Sequence, residues 1–248
     1  MIDLESKSIL VTGGSGGIGH EACLVAAEAG ASVTVVDIDE TGGRQSVERG
    51  GKAQFVKCDV TDEAKVENSV AMAVKSFGRL DGAFNNASIA QRSKPLHEVT
   101  REECVRCLEI NVVGTFLFMK HELIAMMQTG GGSIVNTASI AGTIAYPFAA
   151  EYIVSKHGVL GLTKSAALEY SRRGVRTNTI LPAATLTPMI QEAFDGNPDL
   201  EKYCIEQQPI GRLATAKEVA ATAVWLMSDL ASFVTGACLP VDGGYTAR

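Results

Sequence analysis

Tyr152 and Lys156 stand four residues apart in Glu-Tyr-Ile-Val-Ser-Lys-His, a spacing that puts a phenol and an ammonium on one helix face. A free tyrosine, with a pKa near ~10, is a poor proton donor or acceptor at neutral pH. A neighbouring cation favours the phenolate, and the pair predicts a Tyr152 pKa lowered toward the range where proton transfer is efficient. A Tyr and a Lys at this spacing are also common on plain helix surfaces. The pair gains meaning from Asn111 and Ser139 upstream and from a glycine-rich turn near the N-terminus. His157 follows the helix face away from Tyr152, and Ser155 beside Lys156 reads as structural.

The turn is Ile-Leu-Val-Thr-Gly-Gly-Ser-Gly-Gly-Ile-Gly, residues 9–19, with glycines at Gly13, Gly17 and Gly19. Residues 8–11 predict a buried strand and 21–29 an Ala-rich helix. Glycines in that position let the chain turn tightly and let a pyrophosphate approach helix N–H groups, where the dipole favours negative charge. The pattern is one residue wider than Gly-x-Gly-x-x-Gly.

These residues need a scaffold that brings distant segments together. Apolar, β-branched runs occur at 8–11, 32–36, 54–58, 82–84, 133–137, 176–180 and 237–241. Helical stretches lie between them, the clearest at 63–77, 102–128, 150–172 and 216–228. Short, continuously apolar strands alternating with helices predict an α/β fold, a doubly wound seven-stranded parallel sheet with helices on both faces. No repeat, low-complexity tract or linker divides the chain, so one domain is expected over 1–248. Residues 183–211, with Pro188, Pro198 and Pro209 and no sustained period, predict a long irregular loop. Such loops are commonly functional lids, and this one follows a strand's C-terminal end, where doubly wound folds bind their ligands.

The chain resembles the short-chain dehydrogenase/reductase family over essentially its whole length. The matching marks are Thr12-Gly13 through Gly19, Asp59-Val60, Asn85-Asn86-Ala87, Asn111, Ser139, Tyr152 with Lys156, Pro182 to Thr187, and Val241-Asp242-Gly243-Gly244. The resemblance implies a Rossmann fold, a nicotinamide cofactor and a catalytic group of Asn111, Ser139, Tyr152 and Lys156. Tyr152 would be the general acid/base at the substrate oxygen, and Lys156 would hold the nicotinamide ribose and support the tyrosinate. Ser139, thirteen residues before Tyr152, would hydrogen-bond the developing oxyanion. Asn111 would bind a water linking Lys156 to solvent.

For the cofactor, the resemblance implies Gly13, Ser15, Gly16, Gly17, Ile18 and Gly19 at the pyrophosphate, Asp59 and Val60 at the adenine, and Asn86, Ala87, Ser88 and Thr137 along the riboses. Pro182, Ala183, Thr185, Thr187 and Met189 would meet the nicotinamide end. Ser88 and Ala183 stand where the family commonly has glycine, and Thr185 where it has a β-branched apolar residue. Asp37 closes the second strand at the distance where a carboxylate accepts hydrogen bonds from the adenosine ribose and repels a 2′-phosphate. Ile38 follows where NADP-preferring relatives carry a basic residue, so NAD is expected and NADP disfavoured. Candidate substrate residues are Ser139, Ile140, Ala141, Tyr146, Tyr152, Ala184, Met189, Ile190 and Phe194, with little charge among them. That lining predicts a small, largely apolar secondary alcohol or ketone, and the resemblance is closest to relatives that oxidise cyclic or ring-diol alcohols. Enoyl reductases of the family usually space Tyr and Lys more widely. A non-catalytic NAD-binding scaffold or redox sensor is the alternative, though it has no need of all four catalytic residues.

Composition bounds the partners. The 248 residues carry a formal charge of −6 and are 46% hydrophobic, with a pI near 5.3 and a mean hydropathy of +0.13. The charge disfavours nucleic acid or an anionic membrane as partner. No apolar run approaches the ~18 residues a membrane span needs, and the N-terminus does not read as a signal peptide. Six scattered cysteines suggest reduced thiols and a cytoplasmic enzyme. Cys104 and Cys107 form a lone Cys-x-x-Cys, better read as two thiols on one helix than as a metal site. The apolar surplus on helices around 112–119 and 154–168, with the family resemblance, implies a homotetramer.

Overall fold

The computed structural model describes residues 2–49 and 51–247; Met1, Gly50 and Arg248, which fall within the expected span 1–248, lie outside the described residues. Strands β1 (Ser8–Thr12), β2 (Ser32–Asp37), β3 (Ala53–Lys57), β4 (Gly82–Asn85), β5 (Gly132–Thr137) and β6 (Val175–Pro182) alternate with helices. The helices of this part are α1 (Gly17–Glu28), α2 (Glu40–Arg49), α3 (Glu63–Phe77), α4 (Arg101–Leu108), α5 (Gly114–Gln128) and α6 (Ala150–Tyr170). After β6 come β7 (Thr185–Leu186), α7 (Pro188–Phe194), α8 (Pro198–Gln207), β8 (Ala214–Thr215), α9 (Ala216–Met227) and β9 (Cys238–Val241).

Seven strands form one parallel sheet in the order β3-β2-β1-β4-β5-β6-β9, the expected doubly wound Rossmann arrangement. Chain order reverses between β1 and β4, which opens a crevice at their carboxyl ends. Side chains alternate across the pleat, so a strand covered on both faces must be apolar throughout. Accordingly Ile9, Val11, Val33 and Val35 pack with Ala22, Cys23 and Ala26 of α1 and Val219, Ala220 and Ala223 of α9. Leu10 and Val36 share the opposite core with Val66, Val70 and Ala73 of α3 and Leu117, Phe118 and Met126 of α5. Each fully buried aliphatic side chain stabilises the fold by roughly 1.5–3 kcal/mol before conformational entropy is counted.

Three expectations need correction. Residues 183–211 are not a long irregular loop: they fold into β7, α7 and α8. Pro188 and Pro198 occupy the first turns of α7 and α8, where the missing N–H costs nothing, and Thr187 and Asn197 cap them by accepting from the N–H groups of Ile190 and Leu200. The segment is tied down by the parallel β7–β8 pair and by the bond from the Ile210 N–H to the Gly243 carbonyl. The single helix expected over 102–128 is interrupted by a π turn at Glu109–Val113. By length and composition alone Arg101–Gln128 is apolar enough to cross a membrane, contrary to the sequence reading. Since 56% of its most apolar window is buried within the protein, it reads as a core helix.

Candidate active site

The carboxyl edge of the sheet collects the sequence-predicted residues. β1 delivers the chain to Gly13, whose φ of 66° lies in the left-handed region. A Cβ on Gly19 would sit 2.0 Å from the Gly13 carbonyl oxygen, so the turn closes only with glycine there. Gly16 is the N-cap of α1 and supplies no side-chain cap, leaving the first-turn N–H groups without one. A Cβ on Gly16 would meet nothing within 4 Å, so the turn is open on that side. Asp37 reaches the same turn: its carboxylate accepts from the N–H groups of Ser15 and Asp39, each at 3.0 Å. Ile38 beside it is 63% exposed. Asp59 is engaged locally, accepting from the N–H and hydroxyl of Thr61, and Val60 lies against Gly114.

Thr12 joins the turn to the end of β4, its hydroxyl oxygen accepting from the N–H groups of Asn86 and Ala87 at 3.0 and 3.1 Å. The Thr137 hydroxyl donates to Asn86 Oδ1 at 3.3 Å. At the end of β5, Ser139 caps a short 3₁₀ turn, accepting from the Ala141 N–H at 3.2 Å. The Lys156 ammonium crosses from α6 and donates to the Thr137 carbonyl at 3.1 Å. The i,i+4 pair thus converges with Ser139 at one place. His157 is exposed, its Nδ1 paired with the Ile153 carbonyl oxygen at 2.9 Å, and takes no part.

Asn111 sits in the π turn, an irregularity that often re-aims a functional side chain. Its Oδ1 accepts from the Ile89 N–H at 2.8 Å, while its Nδ2 donates to the Ile89 carbonyl and to Ser155 Oγ, each at 3.1 Å. Ser155 Oγ in turn donates to the Tyr152 carbonyl at 2.7 Å. The Asn111 side chain thus ties the β4–α4 segment to the α6 turn.

The substrate candidates divide by exposure. Tyr146, Ala184 and Ile190 are half-buried, and Met189 is 47% exposed. Ala141 is fully buried, and Ile140 and Phe194 are nearly so, which leaves Ala141 no surface to offer a substrate. Pro182 is buried, Thr185 is buried with its hydroxyl on the Ala183 carbonyl, and Ser88 and Thr187 are half-buried. Phe148 escaped the sequence reading: it is 57% exposed with a φ of 66°, a strained conformation for a bulky residue. No motif signals it. Among the described residues no cluster of three or more His, Cys, Asp or Glu could hold a metal ion.

Residues 13–246 match the family model described as enoyl-(acyl carrier protein) reductase. The 2,5-dichloro-2,5-cyclohexadiene-1,4-diol dehydrogenase of Sphingobium indicum is 49% identical over 249 residues, covering 100% of both chains. The cyclohexanol dehydrogenase of an Acinetobacter species is 40% identical, covering 98% of this chain and 96% of the relative. The crystal structure of 3-ketoacyl-(acyl-carrier-protein) reductase from Brucella melitensis, complexed with NADH, superposes with a TM-score of 0.93 at 31% identity, covering 98% of this chain and 100% of that one. The chain belongs to the short-chain dehydrogenase/reductase family.

Short-chain dehydrogenases/reductases bind a nicotinamide cofactor, and the residues here fit one. The glycine turn admits a close backbone approach, the α1 N-terminus lacks a side-chain cap, and Asp37 stands beside them. The electrostatics of this short-chain dehydrogenase/reductase depart from the sequence expectation. Burial pushes the Tyr152 hydroxyl up to about 12, while the Ser139 hydroxyl beside it pulls the other way. Burial also pulls the Lys156 ammonium down to about 8. Its Nζ lies 5.4 Å from the centre of the Tyr152 ring. Desolvation therefore sets the direction of the shift, and the protein by itself holds Tyr152 as a neutral phenol rather than lowering its pKa.

Proposed function

We propose that this short-chain dehydrogenase/reductase transfers hydride between NAD(H) and a small, largely apolar secondary alcohol or ketone, with ring alcohols as the main class. The observation that carries the reading is the convergence of Tyr152, Ser139 and Lys156 at the sheet's carboxyl edge, with Asn111 bonded to the same α6 turn through Ser155. Bound cofactor supplies the hydride acceptor or donor and a cationic ring that favours the phenolate. Tyr152 takes or gives the proton at the substrate oxygen, Ser139 hydrogen-bonds that oxygen as charge develops, and Lys156 holds ribose hydroxyls. Residues 13–19 would hold the pyrophosphate, and Asn86 and Ala87, fixed by Thr12, would line the riboses.

The NAD preference rests on Asp37. Its carboxylate accepts from the Ser15 N–H of the turn, and Arg44 and Lys57 both pair with Glu40, at 2.7 and 3.8 Å. A 2′-phosphate there would meet the Asp37 carboxylate, which repels it. The names of the relatives support ring alcohols and ring diols as substrates. The family model's description names enoyl reduction, but a Tyr–Lys spacing of four favours carbonyl chemistry. We read residues 1–248 as one domain, with 183–211 covering its substrate side, and six free cysteines fit a cytoplasmic setting. A panel of secondary alcohols with NAD⁺ and of ketones with NADH tests the proposal, with turnover of cyclohexanol-type or ring-diol substrates expected. NAD binding without turnover of any panel member would favour the scaffold or sensor reading instead.

A further inference from the structure

Glu151 immediately precedes Tyr152 on the first turn of α6, yet it is only 3% exposed. Its Oε1 accepts a hydrogen bond from the Arg92 N–H at 2.7 Å, and its Oε2 is buried with no hydrogen-bond partner. Burying a carboxyl oxygen without a partner is costly, so a side chain kept in that state needs a compensating role. Arg92 belongs to the segment that leaves β4 at the ligand edge of the sheet, residues 86–95, which forms neither helix nor strand. Three residues earlier, Asn111 holds both the N–H and the carbonyl of Ile89. Just beyond the Glu151 contact, Ser93 adopts a φ of 57°, so the chain turns sharply once past it. The segment's main chain is thus held by two side chains, one from the π turn and one from the turn that carries the general base.

We infer that Glu151 is a positioning residue for the reaction: its bond to the Arg92 N–H fixes the 88–92 segment against the Tyr152 turn of α6 and sets the width of the cleft between them. The inference rests on the proposed function for its kinetic consequence but not for its structural one. Its chemistry needs only an acceptor, since Oε1 makes the contact and no proton changes hands. An amide oxygen can therefore replace it, and a methyl group cannot.

The test uses Glu151→Ala and Glu151→Gln in the full chain. Glu151→Ala is expected to raise KM for a ring alcohol about tenfold, with kcat within about threefold and NADH affinity within about twofold of the unmodified protein. Trypsin should cut Glu151→Ala between Arg92 and Ser93 several-fold faster, because the tethering bond is gone. Glu151→Gln should restore both KM and resistance to trypsin. If Glu151→Ala leaves KM and the tryptic rate unchanged, the tether does not matter and the inference is overturned. Equal losses of kcat, KM, NADH binding and thermal stability, unrescued by Glu151→Gln, would also overturn it. Should the unmodified protein oxidise no alcohol, the proposed function fails, while the tryptic comparison still decides the role of Glu151.

Discussion

At the scale of single residues, the chemistry turns on a half-buried phenol. Tyr152→Phe removes the proton carrier and leaves the packing of the ring. We expect NADH binding to persist while kcat falls by roughly 10²–10⁴; turnover within tenfold of the unmodified enzyme would remove Tyr152 from the mechanism. The Ser139 hydroxyl opposes the burial that pushes Tyr152 up to about 12. Ser139→Ala should therefore shift the rising limb of kcat/KM for alcohol oxidation to higher pH, as read from a pH–rate profile. A limb that stays in place or moves down would show that Ser139 does not favour the phenolate. Cofactor choice also belongs here. Asp37→Ala combined with Ile38→Arg should shift the NADPH-to-NADH preference by about tenfold or more, since attraction for the ribose and repulsion of the phosphate are lost together. Equal use of both cofactors by the unmodified enzyme would contradict the role given to Asp37.

At the scale of elements, helix α5 carries Glu122 into the protein interior with no exposed surface. Asn85 Nδ2 donates to its Oε2 at 3.0 Å and to Asn136 Oδ1 at 3.1 Å, and no cation pairs with it among the described residues. Burial pushes its carboxyl up to about 8, against a slight opposing pull from Asn85. Below about pH 4.5 the group is protonated in both folded and unfolded chains. As pH rises toward 8, the unfolded chain releases the proton and the folded one retains it, so stability falls across that window and then levels. Glu122→Gln keeps an acceptor for Asn85 and has no proton to lose. Melting curves of the two proteins from pH 5 to 9 should diverge in favour of Glu122→Gln as pH rises to about 8; parallel curves would mean that Glu122 is already ionised.

At the scale of the whole molecule, apolar side chains remain on the outer faces of the long helices. Phe116 and Ile124 of α5 are 48% and 46% exposed, and Val154 and Leu168 of α6 are 57% and 87% exposed. Apolar helix faces of this extent are usually covered by another copy of the chain. The expected assembly is a homotetramer, and light scattering at micromolar concentration should return about four times the 26.1 kDa chain mass. A monodisperse monomer would rule out both helix faces as interfaces, and Leu168→Glu should weaken the assembly without changing the active-site residues.

The alternation of apolar strands and helices was legible because a sheet covered on both faces demands unbroken apolar runs, and seven such runs became the seven strands of the sheet. The glycine turn, the Tyr152–Lys156 spacing and the capped helix over 63–77 were legible because each depends on neighbours close in sequence. The expectation of an irregular 183–211 fails on a local signal: Pro188 and Pro198 suggest an irregular chain, although a capping residue followed by proline also begins a helix. What no local pattern contained was set by packing. Glu151 and Ser155 carry no motif in the chain and acquire their roles from partners 59 and 44 residues away. Tyr152 was expected to be lowered by its neighbouring lysine, and burial raised it instead. The sequence alone determined which groups arrive at the sheet's edge; the tertiary structure decided how far each is desolvated there, because burial depends on packing between segments distant in the chain.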